Sequence, residues 1–139
     1  MPSDAYSPLA GGLLTGKHKF EVSPTEGRYD GGAGSRWGER WWKRELFDAI
    51  DELQAECDKH EITLASAAIR WAVFHSALSR EHGDAVILGA SSVPQLASNA
   101  ECTAGGALPA ALVEYMDSLS QLSSVRGVVP PLGSTWMRL

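Results

Sequence analysis

Apolar positions along this chain recur at helical spacing over most of its length and crowd into a strand-like run at one place. From about Glu39 the period is helical: Leu46, Phe47, Ile50, Leu53 and Cys57 share one face, with Asp48, Asp51, Glu52 and Glu56 opposite. Thr63 stands where an N-cap is needed for a second helix, which runs through Ala67, Ala68, Trp71 and Phe74 to about Ala77. Asp84-Ala85-Val86-Ile87-Leu88 is almost wholly apolar and predicts a strand buried on both faces, as in a parallel sheet. Ser92-Val93-Pro94-Gln95 follows, with Ser at the N-cap, Gln three positions on and Pro in the first turn. That is a capping-box start, and the helix it opens extends to about Glu101. A last helix is predicted from Pro109 to Leu122, with Leu112, Val113, Met116 and Leu119 on one face.

The region before these elements is punctuated by glycine. Pro8-Leu9-Ala10-Gly11-Gly12-Leu13-Leu14-Thr15-Gly16 is a Gly-rich turn that begins within a few residues of Met1, leaving almost no room for a strand before it. Gly27, Gly31, Gly32, Gly34 and Gly38, with Pro24, predict a long surface loop, a kind of segment that is usually functional or mobile. The order is therefore loop, helix, helix, strand, helix, helix, with no internal repeat. A lone parallel-type strand cannot make a sheet, so its neighbours are expected from elsewhere and the chain is expected to be part of something larger. Residues 1–122 form the organised unit, and 123–139, including Val128-Val129-Pro130-Pro131, read as a C-terminal tail of coil.

Composition sets limits without naming a function. The chain has 139 residues, 44% hydrophobic and 21% charged, which suits one globular domain and excludes collagen, a disulfide-dense mini-protein and a disordered chain. With 12 Lys plus Arg against 17 Asp plus Glu the net charge is −5, which argues against a nucleic-acid partner. The cationic cluster Lys17-His18-Lys19 is too short to change that. No stretch approaches the roughly 20 apolar residues that cross a bilayer, so no membrane partner is expected. The first residues carry no basic segment followed by an apolar core, and Cys57 and Cys102 lie far apart without metal-ligand spacing. A cytoplasmic protein with reduced thiols is the expectation.

Two turns have the chemistry to meet an anion. Ser91-Ser92 lies between the strand and a helix N-terminus, where unpaired backbone N–H groups and the helix dipole favour a phosphate; the alternative is that Ser92 only caps the helix. Ser7-Pro8-Leu9-Ala10-Gly11-Gly12 lets backbone approach a phosphate-bearing ligand closely, or is a tight connection and nothing more. It is neither a Walker A sequence nor a G-x-G-x-x-G fingerprint. His18, His60, His75 and His82 show no metal spacing and suit solvated or capping roles. The helical carboxylates suit a solvated face. Trp37, Trp41 and Trp42 either line an aromatic pocket or pack the helix start. No serine or cysteine nucleophile with a credible base is present.

Tyr6-Ser7-Pro8-Leu9-Ala10-Gly11-Gly12-Leu13-Leu14-Thr15-Gly16-Lys17 and Gly89-Ala90-Ser91-Ser92-Val93-Pro94-Gln95-Leu96-Ala97-Ser98-Asn99 together resemble the aldo-keto reductase superfamily. The likeness is greatest to its aflatoxin-aldehyde reductase branch and more distant to the potassium-channel β subunits. Gly27-Arg28-Tyr29, Ala67-Ala68-Ile69-Arg70-Trp71 and His82-Gly83-Asp84-Ala85-Val86-Ile87-Leu88-Gly89 support it, in order, over about residues 6–120. The resemblance implies an α/β fold: the C-terminal part of a (β/α)8 TIM barrel, its last strands and closing helices, with residues 1–122 as a partial barrel. It implies NADP as cofactor, extended across the C-terminal face.

In that family the loop after the seventh strand wraps the cofactor pyrophosphate, here Tyr6, Ser7, Pro8, Leu9, Ala10 and Gly11. Lys17 and Arg28 match basic positions that contact the cofactor. Gly89, Ser91, Gln95 and Asn99 match the segment holding the adenosine 2′-phosphate end, with Ser98 in place of a common acidic or amide residue. A whole barrel takes about 250 residues. The family's Asp, Tyr, Lys and His tetrad is expected upstream of Met1, so no catalytic residue is assigned and Tyr6, Tyr29 and Tyr115 are not candidates. The implied activity is carbonyl reduction of a small-molecule aldehyde or ketone, with this chain inactive by itself. The alternative is a non-catalytic truncated remnant or docking module. The exposed barrel-facing sides then call for a homo-oligomer or a partner supplying the missing strands.

Overall fold

A computed structural model of the chain describes residues 2–122. Among these residues are two short strands, β1 (Asp4–Tyr6) and β2 (Ala85–Ile87), and five α-helices: α1 (Gly38–Trp41), α2 (Arg44–Lys59), α3 (Leu64–Phe74), α4 (Val93–Glu101) and α5 (Ala110–Gln121). Short 3₁₀ turns fill several connections, the longest at Ala10–Thr15. The tail at 123–139 lies outside the described residues.

The strand that sequence left no room for is there. β1 pairs with β2 in parallel, with Asp4 opposite Ala85, Ala5 opposite Val86 and Tyr6 opposite Ile87. Three residues suffice because the start of the ladder is tied. Ala85 N–H donates to Ser3 O at 3.1 Å, and Ser3 N–H donates to Asp84 Oδ1 at 2.7 Å. A second expectation is overturned at β2, which is not buried on both faces. Ala85 and Ile87 are exposed and Val86 is half-buried. The apolar composition of the run encodes burial between two layers, and among the described residues β1 and α3 are the elements that pack most against the strand.

The helices follow their sequence signals closely, with local departures. The first helical stretch breaks at Trp42 and Lys43, whose ψ angles of 73° and 137° leave the helical region. α2 then buries Leu46, Phe47, Leu53 and Cys57, as its period requires. Thr63 caps α3 by accepting from Ser66 N–H at 3.2 Å. The helix stops at Phe74, short of Ala77, because Ser76 Oγ donates back to Ala72 O and accepts from Leu78 N–H, diverting the chain into a turn. Phe74 is exposed, while Ile69 and Arg70 are buried.

Two apolar clusters hold these elements. Leu53, Cys57, Leu64, Ala67, Leu108 and Leu112 join α2, α3 and α5. Leu13, Tyr29, Trp42 and Phe47 join the Gly-rich turn, the following loop and the start of α2. Ile50 packs against both clusters. Arg70 sits between α3 and the α4–α5 connection, where its guanidinium donates to the carbonyls of Gly105, Gly106 and Ala107 at 3.0, 2.7 and 2.8 Å. His75 Nε2 accepts from Leu108 N–H at 2.8 Å, which ties the end of α3 to the segment before α5. The glycine loop is less open than a surface loop: Tyr29, Gly32 and Gly38 are all buried within it.

Candidate functional site

Parallel pairing fixes where the two Gly/Ser turns lie. Both strands run the same way and end side by side at Tyr6 and Ile87. The turn after β1 and the turn after β2 therefore leave the same carboxyl edge of the sheet, the edge at which parallel α/β folds bind ligands.

After Tyr6 the chain coils through residues of unusual conformation. Ser7 and Ala10 have φ of 57° and 48°, and Gly11 and Gly12 of 68° and 109°. Ala10 N–H donates to Ser7 O at 2.8 Å and Gly12 N–H to Leu9 O at 2.9 Å, so Tyr6, Ser7, Pro8, Leu9, Ala10 and Gly11 form one wound turn. The loop that follows returns to it. Tyr29 O–H donates to Ala10 O at 2.7 Å. Arg28 lies so close that a Cβ added at Gly11 would be 3.0 Å from its Cδ. A Cβ at Gly12 would meet Lys17 Cε at 3.7 Å. The fold thus gathers Lys17 and Arg28, 11 positions apart, around Gly11 and Gly12.

Aromatic packing supports this arrangement. Tyr29 meets His18, Trp37 and Trp42 at centroid distances of 5.6, 6.5 and 5.7 Å. Burial pushes the Tyr29 hydroxyl up to about 12, against the opposing charge of Arg28, so it remains a donor at neutral pH. Burial, aided by Lys17, holds His18 below the usual histidine value. Trp42 Nε1–H donates to Phe20 O at 3.0 Å, and the Arg28 guanidinium lies 4.7 Å from the Trp37 ring centre. The tryptophans pack the helix start, the second of the two uses open to them.

The turn after β2 is also closed on itself. Ser92 Oγ caps α4 by accepting from Gln95 N–H at 3.4 Å. The reciprocal half of the capping box is displaced by one residue, because Gln95 Oε1 accepts from Ser91 N–H at 3.1 Å and Ser91 Oγ–H at 2.7 Å. Asn99 Nδ2 donates to Gly89 O at 3.3 Å. Ser91 with Gln95 and Gly89 with Asn99 are therefore two hydrogen-bonded pairs about α4, and Gly89, Ser91 and Gln95 are exposed while Asn99 is half-buried.

These two groups offer what an anionic ligand needs: backbone wound at positive φ, two cations, two serine hydroxyls and the N-terminus of a nine-residue helix. The helical carboxylates are mostly solvated as expected, but Glu56 is half-buried and pairs with Lys59 at 2.6 Å and with His60 at 3.6 Å. Its pKa is lowered chiefly by the Lys59 hydrogen bond. Among the described residues no group of three or more His, Cys, Asp or Glu side chains is placed to hold a metal. The sequence set Tyr29 aside as a catalytic candidate and gave it no site role, although it stands within the matched tripeptide Gly27-Arg28-Tyr29, and left Trp37 between an aromatic pocket and packing of the helix start.

The pattern that defines the aldo/keto reductase family matches residues 1–121. The chain belongs to this family. It is 45% identical over 118 residues to aflatoxin B1 aldehyde reductase member 2 of Homo sapiens, covering 79% of this chain and 33% of that protein. It is 42% identical over 118 residues to aflatoxin B1 aldehyde reductase member 4 of Homo sapiens, covering 79% and 36%. An aldo-keto reductase of Pseudocercospora fijiensis is 40% identical over 116 residues, covering 81% and 39%. The chain spans between a third and two-fifths of the length of these relatives. Aldo/keto reductase membership implies a (β/α)8 barrel, and a parallel strand pair backed by helices is consistent with part of one.

Proposed function

We propose that this chain is the C-terminal portion of an NADP-dependent aldo-keto reductase, containing the last strands and closing helices of the barrel. The observation that carries this reading is the register of Tyr6 with Ile87, which sends both matched turns from one sheet edge. A dinucleotide phosphate has two charged regions, and the chain has two anion-suited groups on that edge. The residues fit such a ligand. Glycine at position 11 lets Arg28 and Tyr29 close on the turn, and a side chain there would crowd both.

Lys17 and Arg28 would pair with the pyrophosphate beside the Tyr6–Gly11 turn, Arg28 in the planar, two-pronged manner of a guanidinium. Ser91 and the N-terminus of α4 would take the 2′-phosphate, Ser91 turning its donors from Gln95 Oε1 to the phosphate. Asn99 holds Gly89 in place for that contact. When bound, the nicotinamide supplies the hydride that reduces a small-molecule aldehyde or ketone. The groups that donate a proton to the carbonyl are expected on the part of the barrel that this chain does not span. A cytoplasmic location and a chain that pairs with the described sheet, either a second copy or a separate partner, complete the proposal. A second reading, a non-catalytic docking module, is favoured by the exposure of Tyr6 and Ile87 on the sheet.

The test is turnover in two arms, following the loss of NADPH absorbance with a simple aldehyde. The chain alone is expected to show none. The chain joined to the preceding two-thirds of a relative's barrel is expected to oxidise NADPH. A joined protein that folds and still shows no turnover contradicts the enzyme reading and favours the docking module.

A further inference from the structure

We infer that Tyr29 and Trp37 are positioning residues for the anion-binding turn, Tyr29 by pinning its backbone at Ala10 and Trp37 by holding the Arg28 guanidinium beside it. This inference rests on the proposed cofactor reading and says what keeps that site formed.

The turn is poorly suited to hold its own shape. Ser7 and Ala10 occupy the left-handed region at φ of 57° and 48°, which side-chain-bearing residues disfavour, and Gly11 and Gly12 continue it. Such a conformation persists only where the surroundings enforce it. Local backbone bonds reach from Ala10 to Ser7 and from Gly12 and Leu14 to Leu9. The tie from outside is the 2.7 Å bond from Tyr29 O–H to Ala10 O, at the side-chain-bearing residue with the lower positive φ. Tyr29 can serve as an anchor because it is itself immobile: only 1% of its surface is exposed, and His18, Trp37 and Trp42 surround its ring.

Arg28 and Tyr29, adjacent in sequence, grip the turn together. A side chain at Gly11 would meet Arg28 Cδ at 3.0 Å and the Tyr29 ring and hydroxyl at 3.4 Å. The charged end of Arg28 is stacked on Trp37 and, among the described residues, forms none of the ion pairs that occupy Lys19 with Asp51 and Arg44 with Glu21. Stacking holds a guanidinium without neutralising it, which leaves its N–H edge for an external anion. Trp37 is fixed in turn through its carbonyl, which accepts from Trp41 N–H at 3.1 Å as α1 begins.

The test is calorimetric titration of the whole chain with NADPH, with hydrogen exchange on the same samples. Tyr29→Phe removes one hydroxyl and keeps the ring; it is expected to weaken binding about tenfold and to lower protection of the Gly12 and Leu14 amides. Trp37→Leu is expected to weaken binding about threefold, and this loss is expected to vanish when Arg28→Ala is already present. Trp37→Tyr, which restores a ring, is expected to recover most of the affinity. Circular dichroism identifies any variant that fails to fold, and the Trp37→Tyr chain then carries the comparison. Tyr29→Phe binding as tightly as wild type, or Trp37→Leu losing the same factor with and without Arg28, overturns the inference and leaves the cofactor reading standing. A wild-type chain that binds no NADPH overturns both.

Discussion

Tyr6 and Ile87 face each other across the parallel sheet as register partners, and each leaves about half of its surface open, 48% and 51%. In parallel sheets both faces are ordinarily covered by helices. These two large side chains mark a face whose cover is not among the described residues. Substituting there should therefore matter little to this chain. Ile87→Thr is expected to change unfolding free energy by no more than about 0.5 kcal/mol, while Ile69→Ala, at a fully buried site, costs about 2–5 kcal/mol. Urea unfolding of both variants measures the contrast. In the chain joined to the rest of a barrel, Ile87→Thr is expected to cost more than it does here.

Arg70 is the buried cation among the described residues, and its partners are three main-chain carbonyls. Arg70→Met keeps most of the volume and removes every donor, so it is expected to cost roughly 1.5–3 kcal/mol. Arg70→Lys restores a single ammonium in place of the fork and is expected to recover only part of that. Thermal unfolding of the three chains checks the order.

Asp84 ties the sheet to the turn before it. Its carboxylate accepts from Ser3 N–H at 2.7 Å and from Ser79 N–H at 2.8 Å, and these bonds, the Ser79 bond first, hold its pKa below the ordinary 3.8. The folded value is depressed, so the stabilisation is present in full above the unfolded value and is lost as pH falls through the folded one. Stability measured from pH 5 downward is expected to fall below about pH 4. Asp84→Asn is expected to be less stable at pH 7 and to show a shallower fall.

Gly11 has a positive φ, 68°, and a Cβ there would lie 3.0 Å from Arg28 Cδ, so that side chain would have to shift. Gly11→Ala is expected to strain the turn by about 1–2 kcal/mol and to weaken NADPH binding by more than its effect on folding explains. Gly34→Ala, where an added Cβ meets nothing within 4 Å, is the control and is expected to leave binding unchanged.

The parts of the fold that sequence revealed are those with a local, repeating signal. The α2 face from Leu46 to Cys57 has four buried members at the positions its period assigns. The Ser92 cap of α4 and the bounds of α5 follow from short-range chemistry. β1 was missed because three residues cannot show an alternation, and its existence depends on a partner about 80 positions away. β2 was read as fully buried because apolarity reports the environment a segment suits, and here one layer of that environment is absent from the described residues. Arg70 was passed over because helical periodicity sorts residues by polarity, and a guanidinium satisfied by carbonyls breaks that sorting. At the candidate site, the matched segments located both turns. The Tyr29 bond to Ala10 depends on three-dimensional proximity, and Gln95 Oε1 taking Ser91 in place of Ser92 depends on the angle at which the chain enters α4.

On the proposed reading, the turn after Tyr6 and the turn after Ile87 together hold the phosphates of NADP(H). Titrating the purified chain with NADPH and with NADH, and following tryptophan fluorescence, tests it most directly, because Trp37 lies under Arg28 beside the first turn. Saturable quenching is expected, with NADPH binding tighter than NADH by at least about tenfold, the usual gain from one charged hydrogen-bonded contact. No quenching at millimolar cofactor, or equal affinity for the two, would contradict it.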